Sequence, residues 1–191
     1  MQILTLPGLY SSGPGHWQTR WEDELANVKR VAQQDWDHPV KDVWVAALSA
    51  AVNAVDDEVV LVAHSMGCAL TAWWLASGMP DVADKSKVKA AFLVAPPNVG
   101  RENFPAPTFN PMPLARFPFP VAVVASSDDP WCDVSIAQAW AKNWGAELHL
   151  IGAKGHINGE SGLGSWKQGQ DWLNALIAKT AKTAKTIKPV Q

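Results

Sequence analysis

The chain has 191 residues, 48% of them hydrophobic and 18% charged, with a formal net charge of −2. That length suits one domain able to bury its own core, and a pI near 6.2 argues against a dedicated nucleic-acid or membrane-surface binder. Two cysteines, Cys68 and Cys132, are too few for a disulfide framework.

The opening MQILTLPGLY lacks a basic leading region, and Pro7-Gly8 cuts its apolar run short, so it does not read as a signal peptide. No later stretch approaches the roughly 20 apolar residues of a membrane span. A soluble, cytoplasmic protein is the expectation. Short apolar runs, read as strands, fall at Gln2–Leu6, Val28–Gln33, Glu58–Ala63, Lys89–Ala95, Val121–Ser126 and Glu147–Ile151. The third and fifth are dense in valine, as strands buried on both faces tend to be. Between them, helical spacing predicts helices at His16–Ala26, Val40–Val55, Met66–Ser77, Val134–Trp144 and Ser165–Thr180. In the second helix Val40, Val43, Trp44, Ala47, Leu48, Ala51 and Val55 recur at the three-four spacing of one buried face. Asp133 is placed to cap the fourth. Trp17, Trp21, Trp44, Trp73, Trp74, Trp140, Trp144 and Trp172 all fall in these helices, where core and interlayer packing accounts for most of them.

The alternation implies a three-layer α/β domain, residues 1–191, around a mainly parallel sheet of about six strands. One interval breaks the rhythm. Pro96 to Pro120 holds eight prolines and can be neither regular helix nor central strand. Its apolar members Phe104, Phe109, Met112, Leu114 and Phe117 either line one wall of a shallow pocket or anchor the loop to the body. From about residue 180 the near-repeat AKTAKTAKT reads as a loose basic tail; removing Lys179, Lys182, Lys185 and Lys188 takes the remainder to −6.

The sharpest chemical signal is VVLVAHSMGCAL, Val59 to Leu70. A buried strand runs into Ala63-His64-Ser65-Met66-Gly67 and then into a helix, which is the G-x-S-x-G nucleophile elbow with Ala63 for the first glycine. The elbow would expose the Ser65 hydroxyl at the sheet edge and aim the Met66 N–H into the site. The competing reading makes Ser65 a helix cap. A serine nucleophile needs a base. His16 and His38 precede Ser65, against the usual Ser-acid-His order; His64 is its neighbour and points elsewhere, and His149 lies within a strand. His156 follows the last strand in Gly155-His156, where an imidazole can reach over the sheet edge. The acid should follow the preceding strand, where Asp128-Asp129-Pro130 gives two candidates or a simple turn. A second oxyanion donor is expected from the Gly-rich turn after the first strand, most simply the Leu9 N–H. That turn matches neither a P-loop nor a dinucleotide fingerprint.

Together PGLYSSGPGHWQTRW, AHSMG, SSDDPWC and GHINGESGLGSW, spread over Pro7 to Trp166, make the chain resemble a small α/β-hydrolase of the serine hydrolase family that includes retinoblastoma-binding protein nine. The resemblance implies a Ser-Asp-His triad and a sheet lacking the first strands of the full-sized fold. It places the acid directly before the proline, at Asp129, beside Ser65 and His156. The implied activity is cleavage of an ester or related acyl bond through an acyl-enzyme, with no metal or organic cofactor. A small-molecule acyl substrate is the expected partner, with no nucleic acid and no membrane. A protein-interaction scaffold with an incidental triad is the alternative.

Overall fold

The computed structural model describes the backbone of residues 1–186 and the side chains of residues 1–180. Strands and helices follow in the order β1 (Gln2–Leu6), α1 (Trp17–Glu24), β2 (Val28–Arg30), α2 (Lys41–Asn53), β3 (Val59–His64), α3 (Met66–Ala76), β4 (Val88–Val94), β5 (Val121–Ala125), α4 (Val134–Trp144), β6 (Glu147–Leu150) and α5 (Lys167–Thr186), alternating except between β4 and β5. The six strands form one wholly parallel sheet in the order β2-β1-β3-β4-β5-β6. Among the described residues no helix is long and apolar enough to cross a membrane.

Alternation along the strands sends successive side chains into two separate cores. Ile3, Val60, Val62, Phe92, Val94 and Val124 pack under α1 and α5 with Trp17, Trp21 and Leu173. Leu4, Leu6, Leu61, Ala63, Leu93 and Val123 pack under α2, α3 and α4 with Trp44, Trp74 and Trp144. Both faces of β3 are buried along its whole length, which is why it reads as an unbroken apolar run.

The buried face of α2 differs from the expected one. Trp44, Val45, Leu48, Ser49 and Val52 face the core, while Val40 and Val43 are exposed. Ser49 turns the face because its hydroxyl accepts the indole N–H of Trp74 at 2.9 Å, a bond a buried indole needs. Asp133 precedes α4 as expected, but its side chain makes no capping bond. Helix α5 carries the backbone of the lysine-rich repeat to Thr186, so the tail is helical there; residues 187–191 of the expected loose tail lie outside the described residues.

The Pro96–Pro120 loop contains only one helical turn, Pro107–Phe109, so no helical lid covers the sheet edge there. Phe109, Met112 and Phe117 are buried in the core as anchors, and Leu114 is exposed. Two indoles strap the loop down: Trp73 donates to the Phe109 carbonyl at 2.7 Å and Trp144 to that of Pro113 at 2.8 Å. Only Phe104 of the five apolar side chains named from the sequence borders the cavity described below.

Strand order places the site. From β1 the chain goes outward to β2, whereas from β3 it goes the other way to β4. The loops leaving β1 and β3 therefore part company, opening a crevice at the carboxyl ends of the strands.

Candidate active site

Ser65 sits at that crevice in a backbone conformation few residues adopt, φ 52° and ψ −122°. Such a residue costs about 1–3 kcal/mol, so its surroundings must hold it. Its N–H donates to the Val94 carbonyl of β4 at 3.0 Å, and its carbonyl accepts from Cys68 N–H at 2.8 Å. Gly67 is required by space: a Cβ there would lie 2.0 Å from the Leu6 carbonyl oxygen at the end of β1. Gly8 is also required from the other side, where a Cβ would meet Ser65 Cβ at 2.7 Å. Ala63, at the position of the motif's first glycine, is fully buried in the core, and its methyl group fits there.

Ser65 stands where a helix cap would, but it makes no side-chain capping bond. Its hydroxyl instead lies 2.8 Å from His156 Nε2. The other ring nitrogen, Nδ1, is 2.9 and 3.0 Å from the two carboxylate oxygens of Asp129. A carboxylate only accepts, so Nδ1 carries the proton and the Nε2 lone pair faces the serine hydroxyl. The Asp129 and His156 side chains are 3% and 11% exposed, so this run of bonds is shielded from bulk water.

Asp128 has a different place. It accepts from Ser126 Oγ and from Gly155 N–H, both at 2.7 Å, and these bonds hold its carboxyl below the usual range. Ser126 Oγ in turn accepts Lys154 N–H at 2.9 Å. The two adjacent acids thus divide the work on one loop: Asp129 meets the imidazole, and Asp128 ties the backbone just before it.

Two further side chains hold this loop, and sequence reasoning read neither as part of the site. His64 donates its Nε2–H to the His156 carbonyl at 2.9 Å, and the Trp17 indole donates to the next carbonyl, Ile157, at 2.9 Å. Burial was the available signal for Trp17, since a buried indole N–H needs an acceptor. Nothing in the local pattern marks His64.

The remaining histidines lie where their burial dictates. His38 is exposed beside Asp35, and His149 stacks on Trp172 with ring centres 4.6 Å apart. His16 caps α1, its Nδ1 accepting Gln18 N–H at 3.1 Å, and its ring meets His64 edge-on at 4.6 Å. Desolvation, with Arg30 and His156 nearby, pushes His16 down to about 4. Desolvation drives His64 well below the ordinary imidazole value. Both are neutral at physiological pH.

A cavity of about 470 Å³ lies over Ser65, bordered by the loop after β1, by Pro97, Phe104 and Pro105, and by Trp131 and His156. Leu9 is on its wall, and Met66 opens α3 directly beneath. Among the described residues neither the Leu9 nor the Met66 N–H has a hydrogen-bond acceptor. The loop bearing Leu9 is clamped by Arg30 of β2, whose guanidinium donates to Ser11 Oγ and the Ser12 carbonyl at 3.1 Å each.

A family model described as serine hydrolase matches residues 3–175. A YdeN-like hydrolase described from Pectobacterium atrosepticum superposes with a TM-score of 0.83 at 28% identity, over 94% of this chain and 91% of its own. The ydeN gene product of B. subtilis gives 0.69 at 19%, over 93% and 98%. A butyrate-bound esterase of Thermogutta terrifontis gives 0.66 at 14%, over 93% and 82%. These likenesses and the wholly parallel sheet make the fold an α/β-hydrolase fold. No match is found among curated proteins.

Proposed function

We propose that this chain, which belongs to the serine hydrolase family, cleaves a carboxylic ester or related acyl bond by way of an acyl-enzyme. One observation carries the reading: the unbroken run of hydrogen bonds from Ser65 Oγ through the His156 ring to the Asp129 carboxylate. Ser65 Oγ attacks the carbonyl carbon while its proton passes to His156 Nε2. Asp129 keeps the imidazole in the tautomer that can accept it and balances the imidazolium that forms. The N–H groups of Leu9 and Met66 meet the negative charge on the carbonyl oxygen, each such donor being worth about 3–4 kcal/mol in comparable sites. When the carbon–oxygen bond to the leaving group breaks, Nε2 returns the proton to that oxygen. Water activated by the same imidazole then attacks the acyl-Ser65 ester, releasing acid and free serine.

The esterase of Thermogutta terrifontis was solved with butyrate, which fits the acyl-ester side of this reading. Cys68 and Cys132 are buried free thiols, which suits a reducing, cytoplasmic setting. The test is covalent labelling with a fluorophosphonate probe. Labelling of the native protein, lost in Ser65→Ala together with ester hydrolysis at unchanged melting temperature, is the expected result. A native protein that neither labels nor turns over an ester panel would leave the chain a scaffold.

A further inference from the structure

We infer that the Trp131–Phe104 corner of the cavity binds the alcohol portion of a neutral ester whose alcohol is aromatic, of benzyl type. This deepens the acyl-enzyme reading and takes its orientation from it.

The described lining carries no fixed charge. Among the described residues bordering the cavity there is no aspartate, glutamate, lysine or arginine. His16 and His64 are held neutral by burial. A charged ester would leave its hydration without gaining a partner on this wall, and the Arg101 guanidinium beside Trp131 already donates to the Pro130 carbonyl, so the site selects an uncharged one.

The leaving oxygen must come within hydrogen-bond reach of His156 Nε2 to receive its proton. The group on that oxygen therefore runs alongside the imidazole, where two rings neighbour it: His64 at 5.0 Å between centres, buried and already bonded to the His156 carbonyl, and Trp131 at 6.3 Å, the one open to solvent.

The Trp131 indole is held ready. At 39% exposed it is one of the few large apolar side chains open to solvent. Its backbone N–H donates to Asp129 Oδ1 at 2.9 Å, and its carbonyl accepts Asn98 N–H at 2.9 Å. Phe104 meets it edge-on at 6.1 Å with the planes at 90°, and the Arg101 guanidinium lies 5.5 Å over the ring. A wall fixed before the ligand arrives costs little ordering on binding. Its flat face suits a second ring, which gains from offset or edge contacts beyond simple burial.

The experiment compares benzyl butyrate with ethyl butyrate, which share one acyl group and differ only in the alcohol. The readout is the benzyl-to-ethyl ratio of kcat/KM within each protein, so a general change in activity cancels. Trp131→Ala should lower this ratio by about three- to tenfold, and Trp131→Phe should largely keep it. Truncation leaves the backbone bonds to Asp129 and Asn98 in place. Binding of the two esters to Ser65→Ala, with and without Trp131→Ala, is followed by saturation-transfer NMR and reads the same corner without turnover. Preferential benzyl binding that depends on Trp131 supports the inference even should the native protein prove not to hydrolyse esters. A benzyl-to-ethyl ratio and a binding preference both indifferent to Trp131→Ala would overturn it while leaving the hydrolase reading intact.

Discussion

The elbow that carries Ser65 and the loop that carries His156 bring one hydrogen bond together from opposite principles. The elbow is local. A buried strand, a positive-φ serine and a glycine under the Leu6 carbonyl place the hydroxyl through backbone and close packing. The His156 loop has no regular structure between Leu150 and the turn at Gly159, and its Ile157 also has a positive φ, 50°, unusual for a β-branched residue. Distant side chains hold it: Asp128 and Asp129 from the end of β5, His64 from β3 and Trp17 from α1. A nucleophile can be placed by about five adjacent residues. A base that must reach it from another strand needs anchors from the whole sheet edge.

The largest expected effect is on the remote side of that contrast. Asp129→Asn should lower kcat by on the order of 10⁴, because an amide can present its NH₂ to Nδ1 and favour the wrong tautomer. Steady-state kinetics with native-like melting would check it; a loss under tenfold would mean that the aspartate is not the orienting group. The next effect is common to both regions. His16 is held at about 4 against an ordinary 6.5, so the unfolded chain binds a proton that the folded one refuses between those values. Stability should therefore fall as pH drops from about 6.5 to 4, by roughly 3 kcal/mol from this group. His64 is shifted in the same direction and adds to the loss. Urea titrations at several pH values should show a shallower fall in His16→Gln than in the native protein.

Gly67→Ala tests the local side. Its Cβ would press on the backbone of Leu6, so a cost of about 1–3 kcal/mol in unfolding free energy and a displaced Ser65 are expected. Unchanged stability and labelling would show that the elbow has room to spare. The smallest effect belongs to Asp128→Asn. The amide oxygen can still accept Gly155 N–H, so kcat should fall only a few-fold with KM nearly unchanged. An effect as large as that of Asp129→Asn would erase the division of labour between the two acids.

Local chemistry made much of this legible in the sequence. Strand and helix order follow from apolar period, and β1, α4 and the start of α3 fall at the expected residues because turns, glycines or a proline-rich loop bound them. The elbow is legible because its constraints are neighbours in the chain. Asp129, by contrast, could be separated from Asp128 only through family resemblance, since alternation at a turn does not say which side chain meets a ring 27 residues away.

What tertiary structure alone decided is what side chains do across the sheet. It turned the buried face of α2 to suit Ser49 and Trp74, sent Phe109, Met112 and Phe117 into the core, and left Phe104 with Trp131 beside the cavity. It also made His64 and Trp17 the anchors of a loop 92 and 140 residues away. Periodicity reports which face a residue shares with its neighbours along one element. Which partner waits on that face depends on strand order and packing, and these are set only when all the elements have come together.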